Sequence, residues 1–265
     1  MGRNQLVWGA ALLLIGGLML ASEMGVRLPN GTPPTDLFWP IALLGAGVWV
    51  LVGVFFRGQV EMENISIDLQ GASSANVKIN HGAGELKIHS GANANELAHG
   101  SFSGGLEHKA NRNGDSLDVK MRPVNDFIKL PFFGPNSQIN WDLALNPNIP
   151  MALNLNLGAN KSDIDLRDMN ITGLDLDTGA SETKITLPVR GRFRADLDLG
   201  AASLEVVIPE GLSARIRPSL GAADFKINEA RFPRNGSYYQ SPDFDSAEHS
   251  VDMTIDAGAA SVRVK

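Results

Sequence analysis

Two patterns of apolar positions divide the chain. Up to about residue 58 they run together: Leu6 to Ala21 holds no charged side chain, and Leu37 to Phe56 is a further 20 residues without one. From residue 60 onward they alternate with polar ones, as in Ile65-Ser-Ile67-Asp-Leu69, Val77-Lys-Ile79, Leu86-Lys-Ile88, Leu117-Asp-Val119-Lys-Met121 and Leu143-Ala-Leu145. Successive side chains of a strand point to opposite faces, so period two predicts strands with one face buried. No helical period of any length interrupts this second part. The pattern therefore predicts a two-helix transmembrane region over residues 1–58, with helices at about 5–22 and 37–56, and an all-β domain over 59–265.

A helix rises 1.5 Å per residue, so each apolar stretch approaches the roughly 30 Å hydrocarbon thickness of a bilayer. Trp8, Trp39 and Phe55-Phe56 fall near the ends, where amphipathic rings favour the interface. Pro40 falls in the first turn of the second helix, where a missing N–H costs little. Pro29, Gly31, Pro33 and Pro34 punctuate the connection between them. The alternative for residues 1–22 is a cleaved signal peptide opened by Arg3, but no small-x-small cleavage site follows and a second spanning stretch does. Gly17 with Ala21, and Ala42 with Ala46, have the spacing that lets two helices approach closely. Arg3 and Arg57 flank the hairpin, so the positive-inside rule places both ends, and with them the β domain, in the cytoplasm.

The β domain is repetitive. Gly-Ala occurs at Gly158, Gly179, Gly200 and Gly221, at constant intervals of 21 residues. The flanks keep register: Leu155, Leu176 and Leu197 align before the glycine, and Ile164, Ile185, Val206 and Ile227 after it. Gly258-Ala259 opens one more copy after an inserted loop around residues 231–245, and less regular copies stand at Gly71, Gly82 and Gly91. A fixed short period in strand-forming sequence means units that cannot bury their apolar face alone and must stack. The expectation is a β-solenoid or related stacked-sheet domain, with Gly158, Gly179, Gly200, Gly221 and Gly258 as corners of positive φ and the following Ala tucked inward.

Composition narrows the chemistry. With no Cys there are no disulfides, thiolate metal sites or Cys nucleophile. A net charge of −6 argues against a nucleic-acid partner, which would draw on clustered Lys and Arg. In-register stacking would set Asp175 beside Asp196 and Asp177 beside Asp198, a ladder that could offer oxygens to Ca²⁺. The Gly-Gly-x-Gly-x-Asp signature of calcium-binding solenoids is absent, and a solvated surface is the simpler reading. His81, His89, His99, His108 and His249 lack metal-ligand spacing and fit surface or turn positions. There is no Gly-x-Ser-x-Gly elbow and no phosphate-cradling loop before a helix, so no catalytic, cofactor or metal residues are expected and the chain does not read as an enzyme. The segment Phe127, Ile128, Leu130, Phe132 and Phe133 breaks the alternation. It is expected to cap one open end of the stack; the alternative is an exposed contact surface for a partner.

The stretch Leu6-Val-Trp-Gly-Ala-Ala-Leu-Leu-Leu-Ile-Gly-Gly-Leu, a loop, and Leu37-Phe-Trp-Pro-Ile-Ala-Leu-Leu-Gly resemble the LiaI/LiaF-type transmembrane region of bacteria. Gly82-Ala-Gly-Glu-Leu-Lys-Ile88 and the Gly-Ala repeats are similar to the toast-rack, or adhesin-like, β domain at the C-terminus of LiaF-like proteins. The resemblance implies a bacterial cell-membrane protein linked to envelope-stress signalling, in which LiaF-like proteins restrain a membrane histidine kinase. Two spanning helices stand here where some members have four. The expected function is a non-enzymatic regulator or scaffold whose partners are the lipid bilayer and a membrane histidine kinase or other integral membrane protein. A homo-oligomer is compatible with it, and the alternative is an exported, adhesin-like surface module with the β domain outside.

Overall fold

The computed structural model describes residues 62–124 and 139–265 throughout, together with 16, 17, 19–25, 27, 33, 36, 39, 40, 43, 44 and 47. Most of the expected helices 5–22 and 37–56, and all of Phe127–Phe133, lie outside the described residues. Among those described, no helix is long and apolar enough to cross a membrane. The chain divides into two compact units, the larger of which is Gln59–Lys129 with Ser137–Lys265.

That larger unit is all-β. Its described strands are β1 (Met62–Asp68), β2 (Ser74–Ser90), β3 (Glu96–Ser103), β4 (Leu106–Asn113), β5 (Ser116–Pro123), β6 (Ile139–Leu145), β7 (Met151–Asp165), β8 (Ile171–Thr178) and β9 (Glu182–Thr186). They continue as β10 (Arg192–Leu199), β11 (Ser203–Val207), β12 (Ser213–Leu220), β13 (Asp224–Ile227), β14 (Arg234–Asn235), β15 (Tyr238–Gln240), β16 (Ser250–Ala257) and β17 (Ser261–Val264). All seventeen are hydrogen-bonded into one sheet system.

The alternation seen in the sequence is the burial pattern of these strands. In β10 every second residue is buried, Phe193, Ala195, Leu197 and Leu199, while the Arg and Asp residues between them are exposed. The strands come in pairs that we call rungs: a longer strand, a Gly-Ala corner and a shorter strand. β8 with β9, β10 with β11, β12 with β13 and β16 with β17 are such pairs, and β2 and β7 each run through their own corner. Rungs lie parallel and in register, which lines equivalent apolar side chains into columns. One column holds Ile79, Leu155, Leu176, Leu197 and Ile255, each essentially inaccessible to solvent. Full burial of one such side chain is worth about 1.5–3 kcal/mol, so the columns are the main source of cohesion.

Chain order and stacking order differ. The rung of β12 and β13 follows that of β10 and β11 by one repeat, yet β16 and β17 lie between them, pairing with β10 and β11 on one side and with β12 and β13 on the other. The last copy of the repeat is therefore an inner rung. Its short strand is bonded along both edges, and the final residue joins in, with Lys265 N–H donating to Val206 and Ile208 N–H donating to Lys265. The other end shows the same inversion, since β5 and β6 lie outside β2 although they follow it in sequence.

Candidate interaction surfaces

The glycine corners form a single column, and the reason for glycine is not the one the sequence suggests. None of Gly158, Gly179, Gly200, Gly221 or Gly258 has positive φ. Each instead faces the backbone of the neighbouring rung. A Cβ on Gly158 would lie 2.2 Å from the Gly82 carbonyl oxygen; on Gly200, 2.9 Å from that of Gly179; on Gly258, 3.1 Å from that of Gly200; and on Gly221, 3.0 Å from that of Gly258. Gly179 is looser, at 3.3 Å from the Gly158 oxygen. The ladder carries on through the bend, as Ala180 N–H donates to Gly158 and Ala201 N–H to Gly179. Close approach of stacked backbones, not a left-handed turn, excludes a side chain here. The alanines that follow, Ala159, Ala180, Ala201, Ala222 and Ala259, are exposed rather than tucked inward.

Just inside this column is a histidine that the sequence placed at the surface. His81 is 1% exposed, because it continues the inward set Val77, Ile79, His81. Its ring meets Trp141 edge-on at 5.2 Å, and Trp141 meets Phe102 in the same way. One ring nitrogen lies 3.0 Å from the Ile139 carbonyl and the other 3.3 Å from the Asn160 side-chain nitrogen. Burial holds the imidazole below its ordinary pKa, only partly opposed by the Ile139 contact. Its described partners are a backbone carbonyl, a side-chain amide and an aromatic ring, an arrangement that orders the corner.

The two outer faces carry charge differently. On the face of the shorter strands one row alternates in sign from β2 to β17, and a second row does so from β2 to β9 before Ser203 and Ser261 interrupt it. Lys87 lies beside Asp163, Asp163 beside Lys184, Lys184 beside Glu205 and Glu205 beside Arg263, with Glu85, Lys161 and Glu182 forming the complementary row. Glu205 illustrates the result: a hydrogen bond from Lys265, then the nearby Lys184 and Arg263, lower its carboxyl pKa. These pairs are exposed and individually weak, but the face neutralises itself.

The face of the longer strands carries both signs too, with Arg217 paired to Asp252 and Arg192 and Arg194 exposed, but there the aspartates cluster. Asp175 lies beside Asp196, and Asp177, Asp198 and Asp256 follow one another across three rungs. The expected ladder is thus present, lengthened by the Asp256 that the inserted C-terminal rung contributes. Asp175 accepts a hydrogen bond from Asn154; none of the five is in an ion pair among the described residues. Beside them is a shallow depression of about 600 Å³ whose floor includes Ala152 and Gly173 and whose walls include Lys78, Asp118 and Arg194. Among the described residues no group of side chains is arranged to hold a metal ion.

A family model for the N-terminal domain of toast_rack, DUF2154, matches residues 56–207. The chain belongs to the toast-rack family. Its match covers the rungs from β2 to β11 and stops before β12, so the inserted C-terminal rung and its outer neighbour lie beyond it. A crystal structure from Clostridium sporogenes ATCC 15579, provisionally described as a cell adhesion protein, shares the toast-rack chain's fold with a TM-score of 0.69 at 20% identity. The alignment covers 78% of this chain and 99% of that one. No curated protein matches the sequence.

Proposed function

We infer that this toast-rack chain is a membrane-anchored, non-enzymatic scaffold or regulator in the bacterial cell envelope. On this reading the apolar stretches 5–22 and 37–56 form a helical hairpin in the cell membrane, and the rung-built domain is a β-solenoid on its cytoplasmic side. The observation that carries the reading is the contrast between the two faces. One interleaves its charges; the other is a broad surface on which five aspartates cluster, none of them in an ion pair among the described residues. Like charges opposite one another in a sheet cost stability, and a basic segment of a membrane partner, such as a histidine kinase, relieves that cost on docking. Stacked-rung domains suit this role because they offer extended surfaces without a deep pocket.

The test is a photo-crosslinking residue placed at Asp177 or Asp198 in native membranes. Capture of an integral membrane protein there, and not from Lys161 on the opposite face, supports the scaffold. Equal capture from both faces, or none from either, defeats it. The fold likeness to a protein provisionally linked to cell adhesion favours a second reading, an exported surface module. A reporter fused after Lys265 separates the two, since activity outside the membrane supports export.

A further inference from the structure

The rung at one end of the stack is unfinished on one side only. On the longer-strand face, β12 is covered by β15, which pairs with Arg215 and Ile216, and Phe232 from the same loop is wholly buried. On the shorter-strand face, β13 pairs with β17 and with no other described strand. Asp224 N–H donates to Ala260 in β17. Alternate residues of a parallel ladder face the same neighbour, so Phe225 and Ile227 aim their N–H and C=O at the open edge. The core beneath is less well covered: Phe225, whose ring meets Tyr239 at 5.7 Å, and Ile227 are only partly buried, whereas their column neighbours Val262 and Val264 are 1% and 2% exposed.

The charges on this edge are specific. The rungs of β2, β7 and β9 alternate in sign along the shorter strand, while β11 and β17 carry Ser203 and Ser261 in the first position. β13 carries Asp224 beside Ser261 and Lys226 beside Arg263, with Asp224 and Lys226 pairing with each other at 3.0 Å. Charged edges and short strands commonly prevent pairing. Here, however, the two signs are placed so that one arrangement of two copies sets opposite charges face to face. If a second β13 runs antiparallel about a two-fold axis at Phe225, each Asp224 faces the partner's Lys226. Phe225 faces its own counterpart as a hydrogen-bonded pair, as its outward-aimed N–H and C=O require. A shift of the axis to residue 224 or 226 sets Asp opposite Asp or Lys opposite Lys.

We propose that β13 is a homodimer interface, in which two copies of the chain join edge to edge through an antiparallel β13 pair centred on Phe225. The contact is isologous, continues the shorter-strand sheet from one copy into the next, and closes the core beneath Phe225. The chain has no Cys, so crosslinks between introduced cysteines are readily assigned. Two differently tagged full-length copies, one Asp224→Cys and the other Lys226→Cys, are coexpressed and oxidised in membranes. Facing residues of a non-hydrogen-bonded pair have Cα atoms about 4.5 Å apart, within disulfide range. Mixed-tag dimers are expected to exceed like-tag dimers by at least about tenfold, because like residues stand two positions out of register. On the wild-type cysteine-free background, Lys226→Asp is expected to lower the dimer fraction, and the swap Asp224→Lys with Lys226→Asp to restore it. Equal mixed and like crosslinking, no crosslink from chains that melt normally, or failure of the swap to restore the dimer each overturns the proposal. Both positions are exposed, so neither substitution threatens the fold.

Discussion

Gly158→Ala tests the physical account of the corners most directly. The added methyl would lie 2.2 Å from the Gly82 carbonyl oxygen and 3.1 Å from its carbonyl carbon, where ordinary contact begins near 3.4 Å. Both are backbone atoms held in a ladder, so relief requires the rungs to part by more than 1 Å at the bend. Overpacking of this kind costs about 1–3 kcal/mol, and loss of one ladder hydrogen bond about 0.5–1.5 kcal/mol. Removing glycine from the unfolded chain returns about 0.4–1 kcal/mol, so the expected net loss is about 2–3 kcal/mol. For a domain of this size that lowers the melting temperature by roughly 4–12 °C. Gly179→Ala is the internal control: its contact is 3.3 Å, close enough to ordinary packing that the unfolded-state gain offsets most of the cost. Heat scans followed by far-ultraviolet circular dichroism, on the full chain in detergent micelles, compare the two variants. Melting temperatures that agree within error would refute close approach as the reason for glycine. Gly158→Asn separates the left-handed alternative, because Asn tolerates positive φ; it is expected to melt no higher than the alanine variant.

Three further outcomes are expected. His81 is buried with its pKa lowered, so below the ordinary histidine value near 6.5 the unfolded chain takes up a proton that the folded one refuses. Stability is complete above that value and falls with pH by at most about 1.4 kcal/mol per unit; denaturant titrations at stepped pH should show the slope in the wild type and not in His81→Gln. Asp198→Asn, between Asp177 and Asp256, relieves two like-charge contacts and is expected to raise stability by about 0.5–1 kcal/mol at low salt, a gain that 1 M salt should erase. Glu96 accepts hydrogen bonds from Ser66 and Asn93 and lies 3.1 Å from the His99 ring, and its carboxyl pKa is lowered from 4.5 to about 2, with Ser66 the largest cause. Its stabilising effect is present at neutral pH and lost as pH falls through about 2, so melting of Glu96→Ala and wild type should differ at pH 7 and converge at the acid limit.

The sequence by itself determined the features set by alternation along a strand and by the length of the repeat. Alternation set which side chain of each strand faces the core, because successive residues must point opposite ways. The interval between Gly158, Gly179, Gly200 and Gly221 set the length of a rung, and with it the alignment of Asp175 with Asp196 and of Ile164 with Ile185. Tertiary structure decided what lies beside what when chain distance gives no guide. A repeat counts rungs but does not order them, since any rung presents the same bonding edge; hence Gly258 stands between Gly200 and Gly221, and Asp256 joins a ladder begun by Asp177. The glycines were recognisable as special, but whether φ or contact made them so depends on the distance to a backbone in another rung. His81 was legible in the alternation after Val77 and Ile79, and the general preference of histidine for surfaces hid it. Local pattern fixes which way a side chain points, and only packing fixes what it meets there.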